Sequence, residues 1–409
     1  MKILHTADWH LGDRLGRIDR TDDLRRAVER VADHCARRGV DVLLVAGDLF
    51  SELARPDGLR EAIRHVQETF RPFLRDGGTI VTLTGNHDNE NFCQTLCHAM
   101  SLAAPAADEP GTLVPPGRLY LASQPTFLRL ADRHDGHQVQ FVLMPYPTPT
   151  RYLDHEESQR YHSLEEKNKH LQTAYAAALA GIRADPRFDP KLPTVLSAHV
   201  HVRGGEVSTL FRVSEQEDVV FESEDLPADF AYVALGHIHK PQCIAGRSHV
   251  RYSGSIERMD LGESGDNKGV VLFEVGPEGR RGEPEVLPLE STPVYVVDVQ
   301  DPRQELPLLA SMYPDAERAL VHVKLKYTAG VDNLDEVLRE LEKVFPRWYA
   351  RDWKESGALD GPLTVGEAPR GKSFEDTVRD YLQAELVNHD DAEREAVLAR
   401  AEQLLRESV

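Results

Sequence analysis

Over the first hundred residues, short apolar runs alternate with charged stretches whose apolar positions recur every three to four residues. That rhythm predicts strands at 2–6, 41–45 and 79–84, separated by amphipathic helices at 22–38 and 58–74. Each strand runs directly into a polar loop, ADWH, AGDLF and TGNHD in turn. Residues 90–118, with Pro105, Pro110, Pro115 and Pro116, read as irregular, and 126–130 with 138–144 as a hairpin. An Ala-rich helix is expected at 160–183, and apolar strands ending in histidines at 194–198 and 232–235. Further strands at 250–253, 269–275 and 285–289 suggest a second sheet. Beyond 292 the order becomes strand, helix, strand, helix (294–299, 304–311, 320–327, 333–344), the pattern of a small α+β domain. Residues 354–372 hold four glycines and two prolines and read as a linker. The last segment, 373–409, carries two amphipathic helices, the first opened by a Ser373/Asp376 capping pattern. No internal repeat is present.

A chain of 409 residues exceeds one compact core, so two or three folded units are expected. There is no apolar run of membrane-spanning length, and the opening MKILHTADWH has strand character without a secretory cleavage region. Four cysteines, Cys35, Cys93, Cys97 and Cys243, are too few and too irregular for a disulfide framework; Cys93 and Cys97 read as packed thiols. These features predict a cytoplasmic protein with no membrane segment. The net charge of −20 argues against a broad basic surface for gripping a polyanion.

The chemistry collects at the ends of the strands, where α/β folds gather their ligands. Asp8 and His10 stand two apart after the first strand, so they can grip one ion. Asp48 follows Gly47 after a buried strand with no ion-pair partner in sight, and an unpaired buried carboxylate is costly unless it meets a cation. Asn86 and His87 lie in GNHD, His199 ends the strand TVLSA, and His237 and His239 lie in GHIH. One histidine at a strand end, or one GD, is an ordinary structural feature. The joint order DxH, GD, GNHD, H, GHxH, each after an apolar strand, points to a metal centre. Mixed nitrogen and oxygen donors suit manganese, iron or zinc better than calcium or magnesium alone. Seven ligands are too many for one tetrahedral ion, and two ions sharing one carboxylate fit the number. His201 stays open, because HVH could present either histidine. Arg14, Arg17 and Arg20 beyond the DxH loop, and Lys240 beside GHIH, are candidate phosphate contacts, while Arg258 could equally cap a helix.

TADWHLG, AGDLF, TGNHD, ALGHIHKPQ and YSGSIERMDLGE together resemble the calcineurin-like metallophosphoesterases and, more narrowly, their SbcD nuclease branch. The resemblance spans nearly the whole chain. It implies an α/β fold, a two-sheet sandwich flanked by helices over residues 1–291, with a small α+β capping domain at 292–353 and a terminal helical pair at 373–409. It implies two manganese ions, one held by Asp8, His10, Asp48 and His239, the other by Asp48 (bridging), Asn86, His199 and His237. His87 matches a non-ligand histidine that helps the leaving oxygen depart. Some relatives carry a second histidine just after GDLF, where this chain has Ser51 and then Glu52. The implied activity is that of a DNA nuclease, a 3′-to-5′ exonuclease and a single-strand and hairpin endonuclease, acting in double-strand break repair. The implied partners are DNA, a second copy of the chain, and an SbcC-type coiled-coil ATPase docked on the C-terminal helices. The resemblance assigns ATP use to that partner. A phosphomonoesterase or cyclic-nucleotide phosphodiesterase with the same metal core is the nearest rival reading. A scaffold with a dead site would be marked by a missing ligand, and none is missing.

Overall fold

The computed structural model describes residues 1–103, 110–153, 161, 163–208 and 218–356, together with Val397 and Arg400. Met1–Glu355 form one compact unit and Ser356–Val409 a second. Within the first unit two six-stranded sheets carry the architecture. One runs in the order Gly279–Pro288, Gly269–Gly276, Lys2–Thr6, Val42–Val45, Thr79–Leu83, Leu119–Ala122. The other runs Gln242–Ile244, Arg247–Tyr252, Tyr232–Gly236, Thr194–His199, Gln138–Met144, Thr126–Ala131. The central strands of each are parallel, with Ile3 opposite Val42, Val42 opposite Thr79 and Val233 opposite Leu196.

These strands read as continuous apolar runs because both of their faces are buried. Ile3, Val42, Leu44 and Val81 turn inward to meet Phe141, Leu143, Val195, Tyr232 and Ala234 of the opposite sheet. Their neighbours Leu4, Leu43, Val45 and Ile80 pack beneath the helices Thr21–Arg38 and Pro56–Arg75. On the far side Leu196, Val233 and Leu235 pack with Leu171, Tyr175 and Leu179 of the helix Leu164–Ala184. Burying each large side chain is worth about 1.5–3 kcal/mol, so a carboxylate at Leu44 or Ala234 would open the sandwich. Helix ends follow local chemistry. Thr21–Arg38 has Asp22 and Asp23 in its first turn, Arg37 and Arg38 in its last, and Gly39 at φ 62° closing it.

A third sheet, Val294–Val299, Leu320–Tyr327 and Trp348–Glu355, is all parallel. With the helices Pro302–Met312 and Leu334–Val344, capped by Asp301 and Asn333, it encloses its own core of Val297, Val299, Leu309, Val323, Leu341 and Phe345. Its point of entry is pinned. Thr292 donates its N–H and hydroxyl to the Glu257 carboxylate at 2.7 and 2.8 Å, and Arg258 donates to the Thr292 carbonyl at 3.2 Å. Arg347 also reaches Asp23 on the helix Thr21–Arg38, at 3.1 Å.

Residues 90–118 are not irregular throughout, since Glu90–Ala103 is a helix. The Asn89 side chain accepts the Phe92 N–H at 3.0 Å, and Phe92, Cys93 and Leu96 pack on the sheet. The prolines that suggest irregularity begin only at Pro105. Nor do the strands from 247 onward make a sheet of their own. Arg247–Tyr252 joins the second sheet, whereas Gly269–Gly276 and Gly279–Pro288 return to the first beside Lys2–Thr6. Leu119–Ala122 is a further strand. Trp348–Glu355 is another, and it runs two residues into the segment that reads as linker. The helices expected within 373–409 lie outside the described residues, apart from Val397 and Arg400, which are helical.

Candidate metal centre

All seven residues of the candidate ligand set come together at the carboxyl ends of the strands of both sheets. Asp8 and His10 follow Lys2–Thr6, Asp48 follows Val42–Val45, and Asn86 follows Thr79–Leu83. His199 ends its own strand, and His237 and His239 follow Tyr232–Gly236. Four of them hold left-handed backbone, with φ of 53° at Asp8, 44° at His10, 53° at Asp48 and 100° at His237. Side chains rarely tolerate this conformation, which costs about 1–3 kcal/mol at each position unless the surroundings enforce it. Here they do. The Asp8 N–H donates to the Gly47 carbonyl at 3.1 Å, and the N–H groups of Trp9 and His10 both donate to the Asp48 carbonyl, at 2.8 and 3.0 Å. The His237 N–H donates to the Asp8 carboxylate at 3.0 Å.

The donor atoms form two overlapping groups. His10 Nε2 and His239 Nε2 face each other at 3.1 Å, with the Asp8 carboxylate in the same cluster. Asn86 Oδ1 lies 3.0 Å from both His199 Nε2 and His237 Nδ1. Asp48 stands between the groups, its Oδ2 3.2 Å from His199 Nε2 and 3.8 Å from His10 Nε2. That oxygen is fully buried and takes no aligned hydrogen bond, while Oδ1 accepts the His87 N–H at 2.8 Å. A buried carboxylate oxygen facing only imidazole nitrogens is a costly arrangement in the absence of a cation. Imidazole nitrogens, carboxylate oxygens and one amide oxygen converging in this way fit divalent metal ions.

The reverse side of three imidazoles decides which nitrogen faces inward. His199 donates Nδ1–H to the Ala46 carbonyl at 2.7 Å, His239 donates Nδ1–H to Glu263 at 2.7 Å, and His237 donates Nε2–H to Asp218 at 2.9 Å. Carbonyls and carboxylates only accept, so in each neutral ring the remaining nitrogen turns its lone pair to the centre. Three glycines allow the close approach: a Cβ would meet His199 Nδ1 at 2.2 Å from Gly47, Asp48 Oδ1 at 2.1 Å from Gly85, and the Ala46 carbonyl oxygen at 1.9 Å from Gly236.

Burial pushes the Asp8 carboxyl above the usual carboxylate range. Burial acts the same way on Asp48, but the nearby His199 and His10 imidazoles outweigh it and hold that carboxyl well below the range. Burial likewise opposes charge on His199, yet the Asp48 carboxylate prevails and raises the imidazole to about 9. A ligand must give up its proton, so a cation entering here displaces one and binds more tightly as pH rises.

The calcineurin-like phosphoesterase family profile matches residues 1–241. The chain is 30% identical over 285 residues to the SbcD subunit of the SbcCD nuclease of Bacillus subtilis (strain 168), covering 68% of this chain and 67% of that protein. The chain belongs to the calcineurin-like phosphoesterases, in their SbcD nuclease branch. The Escherichia coli (strain K12) counterpart is 31% identical, over 66% of this chain and 64% of that one. The Staphylococcus epidermidis counterpart is 26% identical over 86% and 84%. As a member of the SbcD branch, the chain is a metal-dependent phosphodiesterase nuclease.

Around the candidate ligand set the structure adds residues that the pattern alone did not single out. Asp88, the last letter of GNHD, accepts the N–H groups of Gly85 and Phe50 at 2.8 Å each, tying two ligand loops together. Glu263 closes the DLGE motif and is neutralised by the buried Lys268 at 2.7 Å. Asp218 carries no motif signal, and only the fold brings it to His237. His201 points its Nδ1 at the same Asp218 oxygen, 3.2 Å away. His87 has its backbone on Asp48 and its Nδ1 3.4 Å from Glu52, and one of its ring nitrogens also lies in a cluster with His10 and Asp48. Ser51, directly after GDLF, donates to Asp13 at 3.2 Å.

Each cation offered as a phosphate contact has a partner within the chain. Arg17 stacks on Trp348 at 3.5 Å and donates to its carbonyl, Arg14 donates to the Arg17 carbonyl and pairs with Asp19, and Lys240 pairs with Glu206. Arg20 is buried against Asp23, and Arg258 holds the Asp266 and Thr292 carbonyls rather than a helix end. Among the described residues no helix is long and apolar enough to cross a membrane.

Proposed function

We propose that this chain is a manganese-dependent DNA nuclease, a 3′-to-5′ exonuclease and a single-strand and hairpin endonuclease, that works with an SbcC-type coiled-coil ATPase in double-strand break processing. The observation that carries the two-ion reading is Asp48, whose buried Oδ2 lies within 4 Å of one imidazole from each group. Asp8, His10, Asp48 and His239 would hold one ion, and Asp48, Asn86, His199 and His237 the other. Bound divalent ions would supply Lewis acidity toward the phosphate and make a water nucleophilic near neutral pH. His87, fixed through its backbone to Asp48, donates a hydrogen bond or proton to the departing 3′-oxygen. Glu52 lies 3.4 Å from His87 Nδ1 on the ring's other side.

The relatives belong to SbcCD nucleases, which supports a partner of the SbcC type. Such a partner also accounts for the charge of −20, since a nuclease of acidic balance gains from a second chain that holds the duplex. We assign 1–291 to the nuclease domain, 292–353 with the strand end at Lys354 and Glu355 to a capping domain, the rest of 354–372 to a linker and 373–409 to partner docking, within a homodimer.

The test is a manganese-dependent cleavage assay on end-labelled hairpin, single-stranded and blunt duplex DNA, with and without the ATPase and ATP. Hairpin opening and 3′-end shortening are expected, with duplex digestion stimulated by the partner. Turnover of bis(4-nitrophenyl) phosphate without cleavage of any DNA would favour a phosphodiesterase of small substrates. A chain ending near Arg370 should keep single-strand cleavage and lose the ATPase; full-affinity capture of the ATPase by that chain would remove the docking role from 373–409.

A further inference from the structure

The metal set contains three imidazoles with a hydrogen-bond acceptor behind them, and two of those acceptors are carboxylates. We propose that Asp218 and Glu263 are positioning residues, one for each ion, with Asp218 fixing the tautomer and aim of His237 and Glu263 those of His239. The inference rests on the two-ion reading and assigns each ion its own outer anion.

The geometry separates the two. Glu263 is fully buried, accepts from His239 Nδ1 through one oxygen, and through the other from Lys268, Met259 N–H and Ser255 Oγ at 2.7, 3.1 and 3.2 Å. Lys268 also donates to the His239 carbonyl at 2.9 Å, so one ion pair grips both ends of that residue. Among the described residues, no lysine or arginine pairs with Asp218. Its Oδ2 takes both His237 Nε2 at 2.9 Å and His201 Nδ1 at 3.2 Å, and its Oδ1 takes the Tyr146 hydroxyl at 3.1 Å. Three donors on two oxygens require a carboxylate there, because an asparagine offers one oxygen and turns an NH2 toward a donor. The same contact explains the HVH pair: His199 faces the centre, while His201 stands behind His237 and shares its anchor.

A neutral imidazole carries one N–H, and an anion at the far nitrogen draws the proton there and makes the near nitrogen a stronger donor to a cation. Losing such a partner costs about 10–100-fold in metal affinity. Because Asp218 touches only His237 among the ligands and Glu263 only His239, each loss should fall on one ion. Asp48, between both groups, has no such selectivity.

The test is manganese titration of the full chain, followed by elemental analysis and electron paramagnetic resonance. Wild type should hold two exchange-coupled ions. Asp218→Asn should keep one tightly, weaken the other about 10–100-fold, and replace the coupled spectrum by that of a single ion. The double variant Glu263→Gln with Lys268→Met, which leaves no unpaired buried charge, should show the same single-ion signature. Nitrogen-15 spectra of metal-free wild type supply a reading independent of any variant, with His237 protonated at Nε2 and His239 at Nδ1. Wild type holding fewer than two ions overturns the two-ion reading and this inference with it. Wild type holding two, with a folded Asp218→Asn chain binding both as tightly or losing both equally, overturns the inference alone. So does a His237 ring protonated at Nδ1.

Discussion

Replacing Gly236 by alanine puts one methyl group where the metal centre has no room. The added Cβ would stand 1.9 Å from the Ala46 carbonyl oxygen and 2.9 Å from His199 Nδ1. Non-bonded heavy atoms settle near 3.5 Å, so the carbonyl and the strand Tyr232–Gly236 must separate by roughly 1.5 Å. That carbonyl holds His199 Nδ1–H at 2.7 Å, so the movement releases the imidazole that faces Asp48 and Asn86. Overpacking of this kind costs about 1–3 kcal/mol, and a buried hydrogen bond left open costs about 1–3 kcal/mol more. We expect Gly236→Ala to lose about 2–6 kcal/mol of stability and about 10–100-fold in affinity for the ion that His199 serves. The assay is urea unfolding without metal, paired with manganese titration by calorimetry. Gly39→Ala is the control, because Gly39 also has positive φ, 62°, but no atom within 4 Å of the added Cβ. It should cost about 1–2 kcal/mol and leave metal binding alone. If Gly236→Ala unfolds at the wild-type midpoint and binds two ions within twofold of wild type, the close-approach argument is wrong.

Asp48→Ala should empty both ion sites and abolish hydrolysis, and two tightly held ions per chain in elemental analysis would remove its bridging role. His87→Ala should keep both ions while losing about 10²–10⁴-fold in turnover; loss of metal as severe as in His237→Ala would make His87 a ligand. His5 is buried between the sheets against the Tyr232 hydroxyl and the Leu235 carbonyl, and burial lowers its pKa from 6.5 to about 3. Its contribution is therefore fully present above pH 6.5 and falls away as pH drops toward 3. Each unit below 6.5 costs about 1.4 kcal/mol, so about 3 kcal/mol is lost by pH 4.5. His5→Leu should lack that part of the acid sensitivity, and denaturation curves of equal pH slope for the two proteins would refute it. The raised His199 gives a metal-linked trend of the same sign at higher pH: manganese should bind more weakly from pH 9 down to pH 7 with proton uptake on release, and a pH-independent affinity would contradict it.

Much of the fold was legible because strands buried on both faces leave unbroken apolar runs, and because helices such as Thr21–Arg38 leave a stripe of three- and four-residue spacing. Three of the candidate donors were legible for a related reason: Asp48, Asn86 and His237 each stand directly after a glycine that allows close approach at a strand end, and that pairing is local. The sequence could not say which sheet a strand joins. Gly269–Gly276 carries the same apolar signature whether it extends the second sheet or, as it does, pairs antiparallel with Lys2–Thr6. Glu90–Ala103 escaped notice because its packing on the sheet, rather than its own propensity, sustains it beside a proline-rich stretch. Arg14, Arg17 and Lys240 carry the charge of phosphate contacts, and their pairing with Asp19, Trp348 and Glu206 is visible only in the folded chain. Asp218 is the clearest case. Residue types and spacing determined which side chains could bind metal, because donor chemistry is a property of the residue and its immediate neighbours. Which nitrogen of His237 faces the centre was decided by a carboxylate that has no sequence relation to it, since a tautomer is chosen by whatever the folded chain places behind the ring.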